Sequence, residues 1–329
     1  MPQRFGPTAP LTALFTVAAC LASPVAAQSD SGLPAHYSIN PVAVSRSGLY
    51  FEPYRSPHPG WRYAVQLDYG NMIEYGAAID GRVYLLDAEA ATFHLNVGRD
   101  LGARTFVIAD VPVRSVYAGV MDGFLDWYHN LIGIPIPERQ LRPRNQFEYR
   151  VELPNGDTLV RHRLDPSLGD IRLGLGVRHS DAVQSVLSIT LPTTTGAEGY
   201  GRATPSVSLL NTWRARWHPR LRYEGSLDVG YTPATGGPMA QYQHTTFLAL
   251  TSGVRWNFAG VSSMFGNLYY HSSYYGGTGF ASLDHPELSF DYGFIFRTHA
   301  GGEWRLGMTE DLIPTSPAID VVFKVGRSW

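Results

Sequence analysis

The sequence predicts an all-β fold: a transmembrane, antiparallel, up-and-down β-barrel of about 14 strands, within a range of 12–16, with one short helix in a loop. Three observations carry that expectation. Apolar and polar residues alternate with period two in many successive segments, so two faces of one sheet meet different surroundings. The charged fraction is 16% while aromatics reach 12%, with 19 Tyr and 34 Gly among 329 residues, a balance that suits one face in lipid and rings at its borders. The connections between segments alternate between short turns and long Gly-, Ser- and Thr-rich loops.

The first 27 residues are read as a targeting peptide. Arg4 supplies the positive charge, Leu11 to Ala22 the apolar core, and Val25-Ala26-Ala27 the small residues before a cut ahead of Gln28. A competing reading takes Val17-Ala18-Ala19-Cys20 as a lipoprotein box with Cys20 acylated. Cys20 is the only cysteine, so ordinary cleavage leaves neither disulfides nor thiolate metal sites. Residues 28–60 are expected to form an N-terminal periplasmic segment, and 61–329 the barrel, interrupted by a helical loop insertion over 119–145. No apolar run reaches the roughly 18 residues of a spanning helix. The net charge of −2 gives no electrostatic case for nucleic acid.

In Arg62 to Tyr69, Tyr63, Val65, Leu67 and Tyr69 share one face and Arg62, Ala64, Gln66 and Asp68 the other. Phe147, Tyr149, Val151 and Leu153 oppose Gln146, Glu148, Arg150 and Glu152 in the same way. Leu221 to Tyr231 sets Arg222, Glu224 and Asp228 on its polar face, and Leu288 to Arg297 sets Asp291 and Arg297 on its own. Strands are expected near 61–69, 82–98, 105–113, 146–153, 158–164, 170–178, 182–191, 205–217, 221–231, 244–258, 261–272, 287–298, 303–309 and 318–329. A soluble sandwich also alternates, but it does not call for strands near the 9–11 residues of a tilted membrane strand or for a polar face charged with both signs throughout. That face, including Arg172, Arg214 and Lys324 with the residues above, is expected to line a lumen, either as rings that tune solute passage or as a salt-bridged lining. In the last strand Phe323, Val325 and the terminal Trp329 resemble the signal read by the barrel-assembly machinery. The partners expected are that machinery during insertion, outer-membrane lipid and lipopolysaccharide, in a bacterial outer membrane; the oligomeric state stays open.

Gly119 to Ile132 breaks the alternation. Asp122, Asp126, His129 and Asn130 recur at helical spacing opposite Phe124, Leu125, Tyr128, Leu131 and Ile132. Followed by Arg139, Arg142 and Arg144, this helix is expected to gate or plug the pore, with its acidic face toward lumen arginines. Asp126 and His129 stand at i, i+3 without a third metal ligand at a recognisable spacing, so no metal and no cofactor are expected.

Asp87-Ala88-Glu89, the run from Gly123 to Pro135, Arg139, Arg144-Asn145 and Thr309-Glu310-Asp311-Leu312 together resemble the outer-membrane barrel family catalogued as domain of unknown function 3187. The resemblance covers most of the mature chain. It implies a membrane barrel without an established biochemical activity. Ile134-Pro135-Ile136-Pro137-Glu138 departs from the family pattern, which has glycines after a Leu-Pro pair.

A channel or passive transporter for small solutes is therefore the leading expectation, and a structural barrel without transport is another. A third is a lipid hydrolase. His271 and Ser273 lie on one face of a strand end, with Asp284 and Glu287 near the next strand, in the order base, nucleophile and acidic orienter. That His-x-Ser pair also resembles outer-membrane phospholipases and lipid A deacylases.

Overall fold

The computed structural model describes residues 32–48, 60–133, 142–259, 262–298, 302–313, 317, 319 and 321–329. The expected targeting peptide, Cys20 and Arg139 lie outside the described residues.

Among those residues fifteen strands occur in chain order: β1 Trp61–Ala77, β2 Val83–Asp100, β3 Thr105–Tyr117, β4 Glu148–Glu152, β5 Thr158–Arg161, β6 Leu164–Leu168, β7 Arg172–Arg178, β8 Val183–Thr190, β9 Ser206–His218, β10 Leu221–Tyr231, β11 Thr246–Ala259, β12 Ser262–His271, β13 Glu287–Arg297, β14 Glu303–Asp311 and β15 Val321–Ser328. Helix α1 spans Asp122–Ile132 and α2 spans Ala281–Asp284. Twelve strands close a barrel. β1, β2 and β3 pair in sequence, β3 continues to β7, β7 to β15 pair in sequence, and β15 returns to β1. All pairings are antiparallel, as the hairpin connections require.

The seam between β15 and β1 runs from Ala64 opposite Ser328 to Asn71 opposite Val321. Trp329 extends it, its N–H donating to the Tyr63 carbonyl at 2.9 Å. Phe323 and Val325 face outward beside it, and the Arg327 guanidinium lies 5.1 Å from the Trp304 ring centroid and 4.9 Å from that of Trp329. A cation folded over rings is how an Arg on the apolar register is accommodated at a membrane border.

The burial pattern is the reverse of a soluble sheet. Leu175 is 51% and Leu187 61% exposed on the outside, while Asp68 is 0% and Asp291 1% exposed inside. Closure forces this result, because the inward residues of every strand shield one another in the lumen and the outward ones meet only the surroundings.

Two expected strands prove not to span. Residues 146–153 and 158–164 give the hairpin β4–β5, which pairs with the overhanging start of β2, Tyr84 opposite Val151. β6 likewise pairs with the far end of β3. Alternation reports two unlike faces; it does not report whether a strand sits in the wall or on an extension of it. The short connections 101–104, 179–182, 219–220 and 298–302 share one end, here the turn end, with Trp61 and Trp329. The long connections and both helices share the other, the loop end.

Candidate functional site

The lumen is lined by the polar phase of the strands, and its charges are matched within strands and across the lumen wall. Arg222 Nε lies 2.8 Å from Glu224, Arg255 Nη2 2.9 Å from Glu303 and Lys324 Nζ 2.9 Å from Asp291. His94 Nδ1 lies 2.9 Å from Asp110, with Arg172 on the same carboxylate at 3.9 Å. Gln66 donates to Asp68 at 2.8 Å. Burial of so many charges is tolerable because each carboxylate has a cation or donor beside it.

This lumen is not empty. Residues 28–60 were expected on the periplasmic side, but every residue from 32 to 48 except Ser45 is buried, and its contacts are with inward-facing wall residues. Leu33 packs with Phe265 and Ile295 toward the turn end, and its N–H donates to Glu224 at 2.7 Å. The Ala35 carbonyl accepts from Gln66 at 3.2 Å. His36 reaches Asp291 through Nδ1 at 3.1 Å and Glu287 through Nε2 at 3.3 Å, and its ring stacks on Tyr269. The Tyr37 ring stacks on His94 with centroids 3.7 Å apart.

At the loop end the chain turns. Asn40 donates to Glu74 at 2.7 Å and to the Pro317 carbonyl at 2.8 Å. Its own carbonyl accepts from Ala43 at 3.0 Å and Val44 at 2.9 Å, which closes the turn. Arg46 fixes that turn to the rim through the carbonyls of Thr232 at 2.6 Å, Pro233 at 2.7 Å and His244 at 2.6 Å. A Cβ on Gly48 would stand 3.2 Å from Ala249 and 3.3 Å from Asp228, so the chain there has turned back into the barrel. Gly60 is at the turn end, its carbonyl accepting from Asp100.

The expected gate, α1, lies elsewhere. It rests on the outside of the wall near the loop end, with the Phe124 and Phe323 ring centroids 6.0 Å apart and the Tyr128 hydroxyl donating to Glu310 at 3.0 Å. Phe124, Trp127 and Leu131 form its exposed stripe. Asp122, Leu125 and His129 face the barrel. The candidate gating residues are fasteners: Asp122 accepts from Asn71 at 2.7 Å and from the Asn145 N–H at 2.6 Å. Asp126 pairs with Arg144 at 2.7 Å rather than with His129, whose Nδ1 bonds the Leu125 carbonyl at 2.9 Å. Arg142 joins Asp87 and Glu148, each at 2.8 Å.

Glu89 is the centre of this attachment. It accepts from the N–H of Val120 at 2.9 Å and of Met121 at 2.5 Å, from Asn71 at 3.0 Å, and from the Tyr69 hydroxyl. Gly119, at φ +71, lets the loop come this close, since a Cβ there would fall 1.8 Å from the carboxyl carbon of Glu89. Burial and the Glu310 carboxylate hold the Tyr128 hydroxyl well above the usual phenol range, so it remains a donor.

Among the expected lumen charges, Arg62, Asp68, Arg172, Arg222, Glu224, Asp228 and Asp291 are buried in the barrel. Glu148, Arg150 and Glu152 are not part of it: they stand on β4 outside the barrel, where Arg150 pairs with Glu152 at 2.5 Å. Arg214 and Arg297 lie at the turn-end rim, held by the Asp181 carbonyl at 2.9 Å and by Glu303 at 3.1 Å.

The expected hydrolytic group is not assembled. His271 spends Nδ1 on the Ser272 carbonyl at 2.5 Å and is stacked on Tyr274, with no hydrogen bond to Ser273 among the described residues. Asp284 accepts from Thr278 and Gly279, and Glu287 binds Tyr274 and His36. With the base and both acids committed elsewhere, the proton relay lacks its first link.

Sequence reasoning missed His94, Asp110, Arg114, Arg255 and Glu303 as lumen residues. His94 and Asp110 fall on the polar phase of strands the alternation had marked, so the same signal held them. Nothing in the local pattern of residues 32–48 announces a lumen segment, because its neighbours are far away in the chain, 255 positions for His36 and Asp291, and no periodicity encodes them.

A family model described as protein of unknown function, DUF3187, matches residues 12–329. No curated protein matches the chain. Among solved structures, the COG4313 outer membrane channel from Pseudomonas putida F1 is similar with a TM-score of 0.56 at 12% identity, over 85% of this chain and 98% of that one. The NanC porin gives 0.44 at 6% identity, over 81% and 98%. A Pseudomonas aeruginosa FadL homologue gives 0.43 at 8% identity, over 93% and 99%. At such identities the first of these likenesses speaks for the fold alone, which is that of an outer-membrane β-barrel.

Proposed function

The chain belongs to the DUF3187 family of proteins of unknown function, and we propose that it is an outer-membrane channel for small solutes, closed at rest by its own residues 32–48. The observation that carries this reading is the set of contacts from that segment to the inner wall, above all His36 between Asp291 and Glu287. A barrel needed only as a scaffold would be most stable with a solid apolar core. This one keeps a charged lining and fills it with a stretch of chain tied by polar contacts, which water and solute can replace one by one. The outward apolar belt and the exposed stripe of α1 supply the contact with outer-membrane lipid.

The test is conductance in a planar bilayer. Deleting residues 33–48 should turn a silent or rarely opening barrel into one with sustained current. Since a deletion can impair folding, a second variant pair, Leu33→Cys with Phe265→Cys, places thiols on two side chains that pack against each other in the lumen. Oxidation should hold the channel shut and reduction should restore parental openings. A folded deletion variant with unchanged current would end the proposal.

A further inference from the structure

The segment in the lumen satisfies some strands of the wall and leaves others wanting. Its donors go to carboxylates of β1, β10 and β13: Leu33 to Glu224, His36 to Asp291 and Glu287, Asn40 to Glu74. On the stretch of wall between β2 and β10, on β3 and β7 to β9, stand Arg114 and Arg172, and above them Arg202 from the loop after β8. The carboxylates on that side are spent. Asp170 accepts from Thr194 at 2.6 Å and from the Arg202 N–H at 2.7 Å, and Asp110 serves His94.

Within this patch, buried polar atoms have no hydrogen-bond partner among the described residues: Nε and Nη1 of Arg114, Nε of Arg172, and the hydroxyls of Ser188, Thr190 and Ser208. The strand register puts them together, with Arg172 opposite Thr190 and Ser188 opposite Ser208. Burial, together with the neighbouring guanidiniums of Arg172, Arg114 and Arg46, brings the pKa of Arg202 down to about 9, the mark of a cluster short of negative charge. Toward the turn end the same wall becomes apolar, through Phe106, Ile108, Val186 and Leu210. There it holds Tyr37, whose ring lies 5.7 Å from the Arg172 guanidinium.

We propose that this wall is a binding site for a small organic carboxylate, with Arg114, Arg172 and the three hydroxyls taking the carboxylate and the apolar floor taking the body of the solute in place of the Tyr37 ring. The inference rests on residues 32–48 being displaceable. A guanidinium fork and convergent hydroxyls match the two oxygens of a carboxylate. Buried donors without partners disfavour the closed state, so a ligand that pairs them binds the displaced state better and shifts the population toward it.

The probe is benzoate, titrated calorimetrically into the full mature protein in detergent micelles. Saturable benzoate binding is expected, with none for neutral benzamide and with hydrogen exchange at residues 33–40 increased by benzoate. Arg114→Gln should weaken binding about tenfold or more while raising the melting temperature of the ligand-free protein, because it removes a buried guanidinium with two nitrogens left without partners. Thr190→Val is the second variant and should weaken binding to a smaller degree. Arg222→Gln, on β10 beside the turn at 219–220 and outside this patch, should leave it unchanged.

No saturable benzoate binding, equal binding by Arg114→Gln, or binding without increased exchange would each overturn the proposal. Conductance of the deletion variant judges the plug independently. A deletion that conducts while benzoate fails to bind removes the carboxylate site and leaves the channel reading standing.

Discussion

His36 Nδ1 lies 3.1 Å from Asp291 Oδ1, inside a barrel whose fold brings together two residues at opposite ends of the chain. This contact ties the lumen segment to the wall alongside those of Leu33, Asn40 and Arg46. His36→Ala should remove charge-assisted hydrogen bonds on the order of 2–3 kcal/mol. The expected result is a higher open probability in planar bilayers with unchanged heat-modifiable mobility of the folded barrel. An unaltered gating record would show that the segment is held by other contacts.

On the proposed closure by residues 32–48, the same pair makes it depend on pH. Burial opposes protonation of His36, and Lys324 adds to that. Asp291 and Glu287 outweigh both, so its pKa is raised above the ordinary 6.5. A raised pKa means that the seated segment holds the proton more tightly than the displaced one. Its stabilisation is therefore complete below the ordinary value and is lost as pH rises through the raised one. Open probability should rise as pH increases above the ordinary 6.5 and through the raised pKa of His36, and His36→Ala should flatten the curve. A parental channel that closes as pH rises would contradict the assignment.

Gly119→Ala should detach α1. A Cβ there would meet Glu89 at 1.8 Å in a left-handed backbone, and the loop that brings Val120 and Met121 to that carboxylate would have to move. A loss on the order of 2 kcal/mol or more is expected, read as a lower melting temperature and as faster proteolysis within 119–145. Parental protease resistance would show that α1 is held independently of Glu89.

Trp127 and Leu131 are exposed on the outer side of α1, in line with Phe124 and the outward Phe323. Replacing both with Glu should lower the yield of folded barrel in lipid vesicles while leaving folding in detergent largely intact, since only the bilayer penalises the charges. Equal yields in both would place the helix away from lipid.

Ser273→Ala should leave outer-membrane lipid unchanged, because His271 is committed to the Ser272 carbonyl and not to Ser273. A loss of lipid hydrolysis relative to the parent would revive the enzymatic reading.

The barrel itself was written in the sequence. Period-two alternation places Asp68, Glu224 and Asp291 inside and Leu67, Val229 and Phe290 outside through local stereochemistry alone, since successive Cβ atoms point to opposite faces. The even count of spanning strands, the short and long connections and the terminal Trp329 follow from the same local rules. Tertiary structure decided what the pore contains. Alternation could not separate β4 and β5 from wall strands, because a hairpin outside the barrel also has two unlike faces. The helical spacing of Asp122, Asp126 and His129 showed an amphipathic segment without saying that its polar face would meet Glu89, Asn71 and Glu310 on the outside of the wall. Residues 32–48 carry no periodic signal because their partners, from Gln66 to Asp291, come from strands spread along the whole chain. Only closure of the barrel gathers those strands around a common axis and turns an irregular segment into the occupant of its lumen.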